Sequence, residues 1–200
     1  MSITPDVNAR ETFIEGGGMS IRKHFLMPAI LLVMLSWQTS LAQPNRSVYT
    51  SLDAKQCRTL KNDTSEAGDY LGRCKGIGGY NLLLAEGDLR QNLTVVTPSG
   101  SKHSLDLWSV ISGGFSSLGA TAEWRVHKQG NKVVPLALIV RFNASEDPEN
   151  SNKITSYLAV TKITNSEICI THKIGPGPKA NEDARRAADT AADKPCLKAQ

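Results

Sequence analysis

Several features are scarce in this chain of 200 residues: it holds three Trp, four Tyr and four Phe, only four cysteines, and no block of like charge. So few aromatics exclude the stacking platform that single-stranded nucleic acid needs. Four cysteines are too few for a dense disulfide scaffold. The 23 Lys+Arg and 19 Asp+Glu are intermixed, so the net +4 is not gathered into a polybasic block, and neither nucleic acid nor an anionic membrane is implied as the main partner. Cys-x-x-Cys and paired Cys/His spacings are lacking as well, which removes the usual zinc arrangements. A 40% apolar share is what an ordinary globular domain carries.

What is present begins with an export signal. Arg22, Lys23 and His24 precede an apolar run at 25–37 that contains Pro28. The run has about 13 residues where a membrane span takes roughly 20, so it reads as the core of a signal peptide. Ser40-Leu41-Ala42 supplies the small residues that a signal peptidase reads, which places cleavage between Ala42 and Gln43. No cysteine follows directly, so no lipid anchor and no membrane anchor after cleavage are expected. Residues 1–18 show no apolar periodicity, and Glu15-Gly16-Gly17-Gly18, a stretch with purine-rich codons, directly precedes Met19. The expected organisation is therefore a non-native upstream start at 1–18, a signal peptide at 19–42 with Met19 as the true start, and one exported domain at 43–200. Residues before 43 carry three charges of each sign, so the +4 belongs to the domain.

All four cysteines, Cys57, Cys74, Cys169 and Cys196, lie after the cleavage site. An even number in an exported chain reads as two disulfides with three possible pairings. The local pairing, Cys57 with Cys74 and Cys169 with Cys196, is favoured because each bond would tie a flanking segment to a strand. Loops of about 17 and 27 residues make each bond worth roughly 3 kcal/mol.

The domain opens with polar stretches at 43–50 and 54–68, so regular structure is expected to start near Asp69. Strands are read at 69–74 and 80–86, around the glycine cluster at 75–79, which suits a hairpin with positive φ. A third at 89–97 ends at Pro98-Ser99-Gly100. Residues 105–111 fit either a helical turn or a strand. At 120–128, Ala122, Trp124 and Val126 alternate with Glu123, Arg125 and His127, the pattern of a half-exposed strand. The nearly continuous apolar run at 133–142 is the candidate central strand, with Pro135 near its start. Strands at 154–163 and 168–174 form a last hairpin, and Gly175-Pro176-Gly177-Pro178 stops the sheet. The only strong helix is at 180–193, where Ala180, Ala184, Ala187, Ala188 and Ala191 line one face. The expected fold class is α+β: an antiparallel β-sheet of about six or seven strands with a C-terminal helix packed on it and two disulfides.

Two acid–base pairs stand out as candidate binding residues. Glu123 and Arg125 share a strand face, and Asp88 and Arg90 flank a hairpin turn; a solvated sheet face and a turn ion pair are the competing accounts. Trp108 and Trp124 read as core. The acidic loop Glu146-Asp147-Pro148-Glu149 lacks the ligand spacing of a calcium loop. His103 or His127 with Asp106 would suit a hydrolase, but no Gly-x-Ser-x-Gly elbow accompanies them. After Gly76, Gly78 and Gly79 comes strand-like sequence, where a phosphate cradle needs a helix N-terminus. No catalytic residue, cofactor or metal is assigned.

Taken together, Cys74-Lys75-Gly76-Ile77-Gly78-Gly79-Tyr80, Gly87-Asp88-Leu89-Arg90, Glu123-Trp124-Arg125, the Cys169 strand and the Ala-rich helix before Cys196 resemble a group of uncharacterised secreted proteins of Gram-negative bacteria. The resemblance spans most of 49–197 and implies export and a common fold. It carries no established activity and no site residue. The expected function is a non-enzymatic periplasmic or secreted binding or interaction module whose partner is an unknown envelope or extracellular protein or a small ligand. The alternatives are a periplasmic hydrolase, or an inhibitor of an envelope-targeting enzyme that presents the loop at 75–79.

Overall fold

Alternation of apolar and polar residues over long stretches sets the architecture, and ten strands join one sheet. A computed structural model describes residues 45–63 and 68–200; the signal peptide and the upstream segment read from the sequence lie outside the described residues. The strands are β1 (Arg46–Ser51), β2 (Arg58–Asn62), β3 (Tyr70–Lys75), β4 (Asn81–Gly87), β5 (Arg90–Val96), β6 (Lys102–Ser104), β7 (Phe115–Gln129), β8 (Lys132–Ser145), β9 (Ile154–Ile163) and β10 (Ile168–Ile174). Their order is β10-β9-β8-β7-β5-β4-β3-β2, with β1 paired to β7 and β6 to β5. All pairings are antiparallel except a single parallel bridge between β5 and β7, at Arg90 and Ser116. The long β7 shares one of its sides: its start meets β5, and Thr121 to Val126 pair with β1.

In β8, Leu138, Val140, Phe142 and Ala144 point one way and Ala137 and Ile139 the other, and all six are buried. The first set joins the main core with Leu82, Leu84, Leu93, Val95 and Trp124. The second set, with Leu158 and Val160, receives the helix α2 (Ala180–Asp189) through Ala184 and Ala188. Pro135 is accommodated where the β7–β8 register shifts at Arg125 and Val126, so its missing N–H interrupts no regular ladder. The β3–β4 connection uses Gly78 and Gly79 at φ of 58° and 85°, a left-handed turn that a side chain would strain.

The structure corrects the expected fold class. Among the described residues the chain is mostly β, a ten-stranded mixed sheet with two small helices, and not an antiparallel α+β sheet of six or seven strands. The unforeseen strands are β1, β2 and β6. Each is short, and every residue of β2 is exposed, so none carries the apolar alternation that marks a strand in sequence. The helix at the C-terminal side is present but ends at Asp189, followed by a 3-10 turn at Ala191–Asp193.

Both disulfides follow the local pairing, Cys57–Cys74 and Cys169–Cys196. They fit an oxidising, extracytoplasmic compartment. Among the described residues, no helix is long and apolar enough to cross a membrane. The second disulfide holds the C-terminal segment against β10 and β9: Leu197 N donates to Ile170 O of β10 at 2.8 Å, and Lys162 Nζ of β9 donates to Lys194 O at 2.9 Å. One edge of the sheet is thus covered by the chain itself. At the other edge, β2 pairs only with β3 among the described residues.

Candidate functional site

Four residues, Gly87 to Arg90, make the tight β4–β5 hairpin, and its two central residues, Asp88 and Leu89, have φ of 50° and 56°. That is the type I′ geometry, which favours Asn-Gly, so a bulky leucine there is strained, and its side chain is 61% exposed. Next to it, Arg90 is fixed from several sides. Its Nε donates to Gly113 O at 3.1 Å, its Nη1 donates to Asp88 O at 3.2 Å and pairs with the Asp88 carboxylate, and its guanidinium lies 5.1 Å over the Phe115 ring. Nη2 donates to no protein acceptor among the described residues. Its N–H groups stay open on a side chain that is already oriented.

Arg90 stands where two grooves meet. The larger, about 700 Å3, has Leu71, Ala85 and Asn92 on its floor and Trp108 and Lys61 at its sides. Trp108 owes its position to a single helical turn, α1 (Leu107–Val110). Leu107 and Ile111, four apart, are fully buried, so the turn plugs the core and puts Trp108 outside, 51% exposed. The turn is held at both ends. Leu107 N donates to Asn92 Oδ1 at 3.1 Å, while Ser109 O accepts from Gln200 N at 2.9 Å and Ile111 O accepts from Lys173 Nζ at 2.6 Å. The sequence reading of Trp108 as core is thereby corrected; Trp124, at 0% exposure, is core.

The second groove, about 410 Å3, is bordered by Arg90, Phe115, Ser112 and Glu146. Gly114 is required there, because a Cβ would sit 2.0 Å from Ser145 O. Partial burial alone would push the Glu146 carboxyl up. Hydrogen bonds from Tyr157, Ser112 and Thr155, with the nearby Lys173 charge, outweigh it and hold the group below its ordinary value. Such a carboxylate stays ionised at neutral pH and is a weak base. It suits an acceptor better than a proton-abstracting group.

The other sequence pair, Glu123 and Arg125, lies elsewhere. Arg125 donates to both Asp189 oxygens at 2.9 Å, to Ser47 Oγ at 2.7 Å and to Asn45 O at 3.0 Å. Glu123 accepts from Arg185 at 2.6 and 3.2 Å and from Ser47. Both are therefore spent on clamping α2 to β7 and β1. The clamp compensates for the small area an alanine face can bury.

The remaining candidates are dispersed. His103 is on β6 opposite Val95, His127 on β7 opposite Val134, and Asp106 accepts from Ser104 Oγ at 2.6 Å. Among the described residues, no hydrogen bond links either histidine to Asp106. In the acidic loop, Asp147 accepts from Glu149 N and Lys153 Nζ, and Glu146 from Tyr157. One trio could in principle gather round a metal, Glu167 with Cys169 and Cys196, but the sulfurs are bonded to each other and Glu167 is paired with Lys162. The structure brings Asp88 and Arg90 to one groove together with Trp108, which the sequence reading had placed in the core. The signal for Trp108 was available in the buried i, i+4 pair that flanks it. The chain matches no family model, no curated protein and no solved structure.

Proposed function

We propose that this chain is an exported, periplasmic or secreted binding module without catalytic activity, and that its ligand is held in the groove between Trp108 and Arg90. The carrying observation is that the groove presents a half-exposed indole on a braced helical turn beside a guanidinium held in place by Gly113 O, Asp88 and Phe115. Ordering these two side chains before a ligand arrives reduces the entropy lost on binding. A volume near 700 Å3 is within the range of roughly 300 to 1,000 Å3 typical of ligand sites. Export rests on the signal-peptide reading, on the resemblance to secreted proteins of Gram-negative bacteria and on the two disulfides.

The experiment is a paired capture from periplasmic extract with the oxidised protein and its Trp108→Ala variant, followed by mass spectrometry. The expected result is a species retained by the parent and lost by the variant while the variant's thermal unfolding is unchanged. Identical retention by the two proteins would remove the groove from the function.

A further inference from the structure

The face that carries the groove also carries a row of cations. Cross-strand partners share a face. Since Leu82, Leu84, Leu93 and Val95 enter the core, the residues between them, and those opposite, face outward. On this outer face lie Arg58 and Lys61 of β2, Arg73 and Lys75 of β3, Arg90 of β5 and Lys102 of β6. Carboxylates engage two of them, Lys61 through Asp69 and Arg90 through Asp88. Among the described residues, the other four have no carboxylate at ion-pair distance. Arg58 and Arg73 stand directly opposite each other in the β2–β3 register, an arrangement of like charges that costs stability and that nothing in the fold requires.

These unmatched cations lie beside main-chain groups that are also unmatched. Among the described residues, β2 has a strand on one side only, and all five of its residues are exposed. Lys61 of the same strand borders the groove, whose floor residue Leu71 is Lys61's cross-strand partner. From these observations we infer that the occupant is an acidic, extended segment of a partner protein that adds to the sheet alongside β2 and sets an apolar side chain at the Lys61 end of the groove. The inference rests on the groove reading above and names its partner class.

Strand addition supplies affinity through main-chain hydrogen bonds and specificity through alternate side chains. A second copy of this chain is disfavoured as the occupant, because pairing β2 with β2 would set Arg58 and Lys61 against their own like charges. An acidic strand meets attraction at the same positions. The cations and the β2 bulge at Leu60, which otherwise merely protect an edge, thus select the charge of what may join it.

The test uses the full oxidised protein and three ten-residue peptides: alternating glutamate and valine, alternating lysine and valine, and the acidic peptide with N-methylated valines. Calorimetry reads affinity and amide hydrogen exchange reads β2. The acidic peptide is expected to bind and to slow exchange at Leu60 and the neighbouring β2 amides. The lysine peptide and the N-methylated peptide bind at least about tenfold more weakly. In the doubly reversed variant R58E/R73E the preference for acidic over basic peptide inverts. If that variant fails to fold, the N-methylated comparison on the parent protein decides. Absence of acidic-peptide binding, equal affinity for the lysine peptide, or unchanged β2 exchange overturns the inference. Should any of these occur while Trp108→Ala still loses the species captured from extract, the strand-addition inference falls and the groove reading stands.

Discussion

Glu123 with Arg125 and Asp88 with Arg90 have the same spacing, an acid and an arginine two residues apart at or beside a strand, yet they end in opposite circumstances. The first pair is nearly buried, with the Arg125 side chain 10% exposed, and each member is matched to a residue of α2. The second sits at a hairpin tip, with the Asp88 side chain 81% exposed, and is matched chiefly to itself and to a neighbouring loop carbonyl. Spacing alone therefore carries no information about role. What separates the pairs is the arrival of a third element: a helix more than 60 residues away covers Arg125, whereas the region around Arg90 is left open.

Substitutions should expose that difference. Arg125→Met removes one member of a buried pair and leaves Asp189 uncompensated, so urea unfolding is expected to lose about 3 kcal/mol, with α2 detaching from β8 and β9. A loss below about 1 kcal/mol would mean that the clamp is as weakly held as a surface pair. Arg90→Ala should cost only about 1 kcal/mol, the sum of a screened ion pair and a ring contact, while removing ligand retention. If it destabilises as much as Arg125→Met, Arg90 is structural and the contrast fails. The smallest effect has the opposite sign. Leu89→Gly relieves a left-handed leucine at some entropic cost, and a net gain of roughly 0.5 kcal/mol is expected in the same assay. If stability falls instead, the exposed leucine packs usefully and its turn is not strained.

How far the sequence could be read follows from the same logic. Strands with apolar alternation, such as the one holding Trp124 and Val126, and the alanine face of α2 were legible because each declares its buried side locally. The local disulfide pairing was legible as well, since short loops close easily. β1, β2 and β6 were not, because these mostly polar strands lack the apolar alternation that marks a buried face. The hairpin turn that carries Asp88 and Arg90 was legible from turn chemistry. Trp108 was missed because a tryptophan next to Leu107 looks like core until the helical turn decides which of them faces in. The clamp on Arg125 was illegible in principle, since it depends on where α2 docks.

The cover on the β10 edge has an implication for when and where the groove can work. Trp108 is carried by a turn whose Ser109 carbonyl is held by Gln200, and Gln200 lies four residues beyond the Cys196 bond. A disulfide sulfur more than 80 residues from the indole therefore helps to keep that turn in place. In a reducing compartment that fastening is absent, and the turn that carries Trp108 loses the covalent support behind one of its ties.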